Sequence, residues 1–166
     1  RFCHSPAFPG SGGMAASGLV HPFMPYTEGA VSIANSFFNG LIEELRRKNG
    51  LGEDGCRFDD EVLKKVLEDT VLSSGAEILY HSVCSGAQTE GNRISSIRVS
   101  SKWGTSGLTA DIFIDATGDA DLAFFSGAGT EKGRKEDGLC QPMTLCFRVS
   151  GIRDTGAQLV RDLNKV

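Results

Sequence analysis

From Val31 to Lys48 the apolar residues Ala34, Phe37, Phe38, Leu41, Ile42 and Leu45 return every three or four positions, which predicts an amphipathic helix. Arg46, Arg47 and Lys48 suit the negative end of its dipole, and Asn49-Gly50 supplies a stop. A second stripe, Val62, Leu63, Val66, Leu67 and Val71, follows Asp59, whose carboxylate is placed to cap a helix that Ser73-Ser74-Gly75 ends. Phe58 and Leu63 stand where a hydrophobic staple would clamp that cap.

Beyond Gly75 the pattern turns to short strands. Residues 76–81, "AEILYH", are apolar enough to be a buried strand. Residues 83–88 lead through "TEGN" into a strand over 93–100. There Ile94 and Ile97 break the alternation that Ile97 and Val99 keep, so a bulge or a late start of the strand is expected. "KWGTSG" is the next turn, and residues 108–116 form the return strand. Past "ATGD", the stretch "ADLAFFSGAG" reads as one short helix and "TEKGRKEDG" as an exposed loop. Residues 143–151 then form a strand, and Asp154 caps a final helix. Residues 1–10 show neither periodicity, and 11–30 read as a loop rich in small residues. The sum is an α/β domain with an inserted antiparallel β-meander.

Composition narrows the function classes. With 40% hydrophobic and 23% charged residues the 166-residue chain is an ordinary globular one. A net charge of −4 gives no basic footprint, so nucleic acid is not expected as a partner. No apolar run is long enough for a membrane span. The five cysteines form no C-x-x-C pair, which argues against structural zinc and against a thioredoxin-like motif. Free thiols fit a reducing compartment, and a cytoplasmic location is expected. Glycine is abundant, 21 against five prolines, and gathers at "GSGGMAASG" and "ATGD". Such corners allow tight turns or a ligand laid against backbone.

The "ATGD" corner carries three acids, Asp115, Asp119 and Asp121, which offer hard oxygen ligands. The calcium-loop pattern fails in both registers. Counting from Asp115, position 3 is Thr117 and position 6 is Ala120; counting from Asp119, position 5 is Ala123 and position 6 is Phe124. A Mg²⁺-dependent phosphotransferase or hydrolase built on these acids stays as the alternative reading. A structural role, with Asp119 capping the next helix and Gly118 permitting the turn, is expected in either case. It leaves unexplained why Ala, Thr and Gly crowd at a strand end, where open α/β sheets line their ligand crevice.

The stretch "FIDATGDADLAFFSGAG", with "GGMAASGLVHPFMPY" upstream, resembles the FAD-dependent oxidoreductases of the glutathione-reductase-like superfamily, closest to fumarate-reductase-like flavoproteins, over about Gly12 to Gly151. The resemblance implies a Rossmann-like FAD-binding domain, partial in this chain, over residues 1–139, and the beginning of a substrate domain over 140–166. It implies that Gly12, Gly13, Met14 and Ala15 pass beside the flavin and its pyrophosphate. It implies that Val83 offers backbone groups to the adenine, and that Ala116, Thr117 and Gly118 return the chain beside the FAD. The cofactor implied is FAD, and the activity is hydride or electron transfer with a small organic substrate.

Departures from the family are equally plain. Its members open with a strand and G-x-G-x-x-G at a helix start, which binds the pyrophosphate. Here "GSGGMA" is expected neither to follow a strand nor to open a helix, and the acid that would hold the ribose is missing. The chain therefore reads as an internal piece of a larger flavoprotein, inactive alone. Strands 76–81 and 108–116 would then show open edges, covered by self-association or by a companion chain. No catalytic acid or base stands out: His21, Tyr26, Arg148, Cys140 and Cys146 are each isolated.

Overall fold

A computed structural model describes residues 2–4, 12–28, 31–34, 36–148 and 150–151. The first half contains β1 (Phe2–His4), α1 (Gly13–Ala16), β2 (Thr27–Glu28), β3 (Val31–Ser32), α2 (Ser36–Arg47) and α3 (Asp60–Ser73). The second contains β4 (Glu77–Leu79), β5 (Ser82–Glu90), β6 (Arg93–Ser101), β7 (Gly104–Leu108) and α4 (Asp121–Phe125).

The two apolar stripes meet. Ile42 and Leu45 of α2, Leu63 and Val66 of α3, and Phe58 form one buried cluster, edged by Phe23, Tyr26 and Phe38. Asp59 caps α3 as the sequence predicts, its carboxylate accepting the Glu61 and Val62 N–H groups at 2.9 and 3.1 Å. Phe58 and Leu63 are both buried beside that cap, as a staple requires. Helix α2 begins later than its periodicity suggests. Val31 and Ile33 are exposed, and β3 pairs antiparallel with β2 instead. The Ser32 hydroxyl accepts the Ala34 N–H and donates to Asn39 Oδ1, holding the chain in a turn before the helix.

The meander follows its predicted order, β5-β6-β7, all antiparallel. The bulge is present. Gln88 faces Ser96 while Thr89 faces Ile94, so Ser95 is the extra residue that puts Ile94 and Ile97 out of step. A second irregularity sits at Ser85, between the Cys84–Val99 and Gly86–Arg98 pairs.

Several expectations need correction. Residues 2–4, expected to be irregular, form β1, which lies parallel to β4 with Cys3 opposite Ile78. Three residues are too few for a period to show. "GSGGMA" does open a helix, the single turn α1, and β1 precedes it. Strand β4 is not buried: Glu77 is exposed and Ile78 and Leu79 are half-buried, because its sheet has two strands among the described residues. The return strand expected over 108–116 does not form as such: β7 occupies Gly104–Leu108, most of which was expected to be a turn, and the turn itself shrinks to Lys102-Trp103. Residues 109–117 join no ladder among the described residues, and Ile112 and Ile114 are 78% and 84% exposed. Residues 143–148 likewise join no ladder among the described residues, with Met143 and Leu145 open to solvent. The helix expected after Asp154 lies outside the described residues.

Candidate functional site

The small-residue corners fall into two groups. The first is built on α1, which packs on α3. Gly12 takes φ +109°, and a Cβ there would stand 2.7 Å from the Ala16 Cβ and 3.2 Å from Leu67 Cδ1. Its missing side chain therefore serves helix packing. Gly13, at φ +44°, has no atom within 4 Å of its Cβ position and opens to space. Met14 projects outward at 71% exposure, while Ala15 packs against the helical core. The Ser17 hydroxyl oxygen is buried and has no hydrogen-bond partner among the described residues.

The second group surrounds residues 115–123 and Val83. Helix α4 packs on β5, where Val83 stands opposite Ser100 with its side chain partly exposed. The chain before α4 is organised by Asp115. One carboxylate oxygen accepts the Thr117 N–H at 2.9 Å and the Thr117 hydroxyl at 2.7 Å; the other accepts the Ala123 N–H at 2.9 Å. Thr117 Oγ1 in turn accepts the Asp121 N–H at 2.8 Å. The Thr117 hydroxyl bond, and backbone donors from Ala123, Thr117 and Leu122, hold the Asp115 carboxyl below the usual carboxylate range.

That arrangement corrects the expected cap. Asp119 is exposed and does not cap α4; the N-cap position is Ala120, in the left-handed region at φ 57° with no side-chain bond of its own. Thr117 and Asp115 satisfy the first N–H groups from outside the helix. The acids do not act as a set, and among the described residues no three His, Cys, Asp or Glu gather as metal ligands. Gly118, at the turn, has nothing within 4 Å of its Cβ position. The spacing Asp-x-Thr, an Asx-type turn followed four residues on by a helix start, is the signal in the sequence that marks this role.

The isolated candidates divide by partner. His21 is exposed and stacks on Phe58 with ring centroids 4.1 Å apart. The Tyr26 hydroxyl donates to the Gly55 carbonyl at 2.7 Å and its ring meets Phe38 edge-on, so it supports packing. Arg148 pairs with Asp60, a residue only 3% exposed that no motif in the sequence singles out. Cys140 is exposed and Cys146 half-buried, both as free thiols.

At the two corners, Gly13 and Gly118 leave main chain uncovered at the surface of an α/β frame. The chain belongs to the FAD dependent oxidoreductase family, whose model matches residues 8–165. FAD is that family's cofactor, and the fold corresponds to part of a Rossmann-like FAD-binding domain with the β5–β7 meander inserted. A search of curated proteins finds no match. No helix among the described residues is long and apolar enough to cross a membrane.

The residues present suit FAD in part. Gly13 and Gly118 leave backbone open to contact, and Ser17 holds an unused polar atom beside the first corner. Gly12 does not offer that opening, since α3 fills it.

Proposed function

We propose that this chain forms flavin-contacting walls of an oxidoreductase acting on a small organic substrate. Bound FAD supplies the hydride or electron chemistry. Gly13, Met14 and Ala15 would line the flavin side, with backbone at Gly13 close to the cofactor. Val83 would offer main-chain groups to the adenine, and Ala116, Thr117 and Gly118 would lie against the cofactor at the return of the chain. Asp115 has a positioning task, fixing the turn that leaves Gly118 open. The observation that carries this reading is the pair of unfilled glycine positions, Gly13 and Gly118, in a chain of this family.

In the same reading residues 1–139 are FAD-binding and 140–166 begin a substrate domain; the support is an unbroken run of exposed residues from 127 to 145. The chain alone is inactive and gains FAD affinity through a second copy or a companion chain that meets residues 109–117. Its place is the cytoplasm. The test is flavin retention: the protein is mixed with excess FAD, with and without its natural full-length context, desalted, and its flavin absorbance read. Gly118→Val in the FAD-retaining form should lose most of its flavin while keeping its far-ultraviolet circular dichroism. Flavin content equal to the parent's would overturn the assignment.

A further inference from the structure

Among the described residues Asp60 is the one buried acid in an ion pair, its side chain 4% exposed, and its partner, Arg148, is 61% exposed. The partner arrives from a distant part of the chain. Residues 127–145 are all exposed, Cys146 is half-buried, and Arg148 two residues on meets α3 at Asp60. Phe147 and Arg148 then form one wall of a cleft of about 410 Å³, whose other walls are Leu19, His21, Phe58 and the first turn of α3. The neighbouring acids in that cleft are already engaged: Asp59 caps α3, and Glu61 pairs with Lys64 at 2.7 Å. Asp60 alone is left for a cation from outside the helix.

A buried carboxylate must be compensated or hydrated. Here the charge that compensates Asp60 comes from a segment outside its own helix. Lifting the segment breaks the pair, but it also returns water to both charges, so loss of attraction and recovery of hydration oppose one another. Apolar contact adds little to the docked state, since Met143, Leu145 and Phe147 are 101%, 87% and 63% exposed. We propose that the Arg148–Asp60 pair is an electrostatic latch that holds residues 140–148 as a movable wall of the cleft beside His21. The proposal stands on this geometry and does not rest on the flavin reading.

Cys146, the half-buried residue of that segment, is a built-in reporter. Its labelling by a thiol reagent, followed by mass spectrometry of the full chain's peptides, reads how often the wall lifts. Arg148→Gln should raise the Cys146 rate roughly five-fold, and higher ionic strength should do the same to the parent protein. Arg148→Lys, which keeps the charge, should stay nearer the parent. Cys56, half-buried in the helical body, should keep its rate and so separate latch release from unfolding. Asp60→Asn should match Arg148→Gln. An unchanged Cys146 rate in Arg148→Gln, equal acceleration in Arg148→Lys, or a parallel rise at Cys56 would overturn the latch.

Discussion

Two adjacent residues between the helices carry different duties, although either one alone would look like a helix stop. Asn49 takes the left-handed conformation, φ 56°, and Gly50 does not. The Gly50 N–H donates to the Leu45 carbonyl at 2.8 Å, closing the end of α2. What Gly50 supplies is absence: a Cβ there would stand 2.4 Å from Val62 Cγ1 and 2.7 Å from Val62 Cβ. Such overpacking costs about 1–3 kcal/mol. Gly50→Ala is therefore expected to lower the denaturation midpoint clearly. Asn49→Gly should change it by only a few tenths of a kcal/mol, since glycine enters the left-handed region without penalty. Urea titration of the two variants checks the pair; the reverse order would show that the turn, not the close approach, sets the glycine requirement.

Elements show the same division between local and distant causes. Helix α4 has five residues and draws its capping from Asp115 and Thr117, which precede it. Charge-assisted bonds of this kind are worth about 1.5–3 kcal/mol each when buried and less where water reaches them. Because the folded Asp115 carboxyl lies below its ordinary value, its contribution is present above the unfolded pKa, about 3.9. It is lost as pH falls through the depressed folded value. Asp115→Asn should accordingly speed amide exchange at Ala123 near neutral pH and remove the acid-side part of the stability profile that this group supplies. A variant with the parent's exchange rate at Ala123 would show that α4 holds itself. The stripes of α2 and α3, the Asp59 cap and the Phe58–Leu63 staple were legible in the sequence because each depends on neighbours within a few residues. So was the Ser95 bulge, through the step between Ile94 and Ile97. Strand β1 was not legible, nor the place of β7 over 104–108 in a stretch that read as a turn, because a ladder depends on a partner the local pattern does not name. At the corner, three acids attracted attention as a set. The structure uses Asp115 with a threonine and leaves Asp119 in solvent, a choice that composition could not reveal.

For the molecule as a whole, the balance of buried and exposed apolar surface is uneven. The core rests on Ile42, Leu45, Phe58, Leu63 and Val66 between two helices, while β1 and β4 make a sheet of two strands among the described residues. Residues 112–114 follow the meander with Ile112 and Ile114 on the solvent side and no ladder partner among the described residues. An apolar segment outside any ladder, with unpaired backbone groups, offers a surface for another chain. The net charge of −4 on 166 residues gives only modest repulsion against such contact. Self-association that grows with concentration is therefore expected, read by light scattering on a sizing column. Replacing Ile112 and Ile114 together with lysine puts two charges on the pairing face and touches none of the five core residues. The double variant should move toward the monomer mass with its helical circular dichroism unchanged. If the parent is already a monomer at low and high concentration, the edge is covered in some other way and the association idea fails. If both proteins associate equally, the contact lies elsewhere, and the exposed Met143, Leu145 and Phe147 become the next surface to charge.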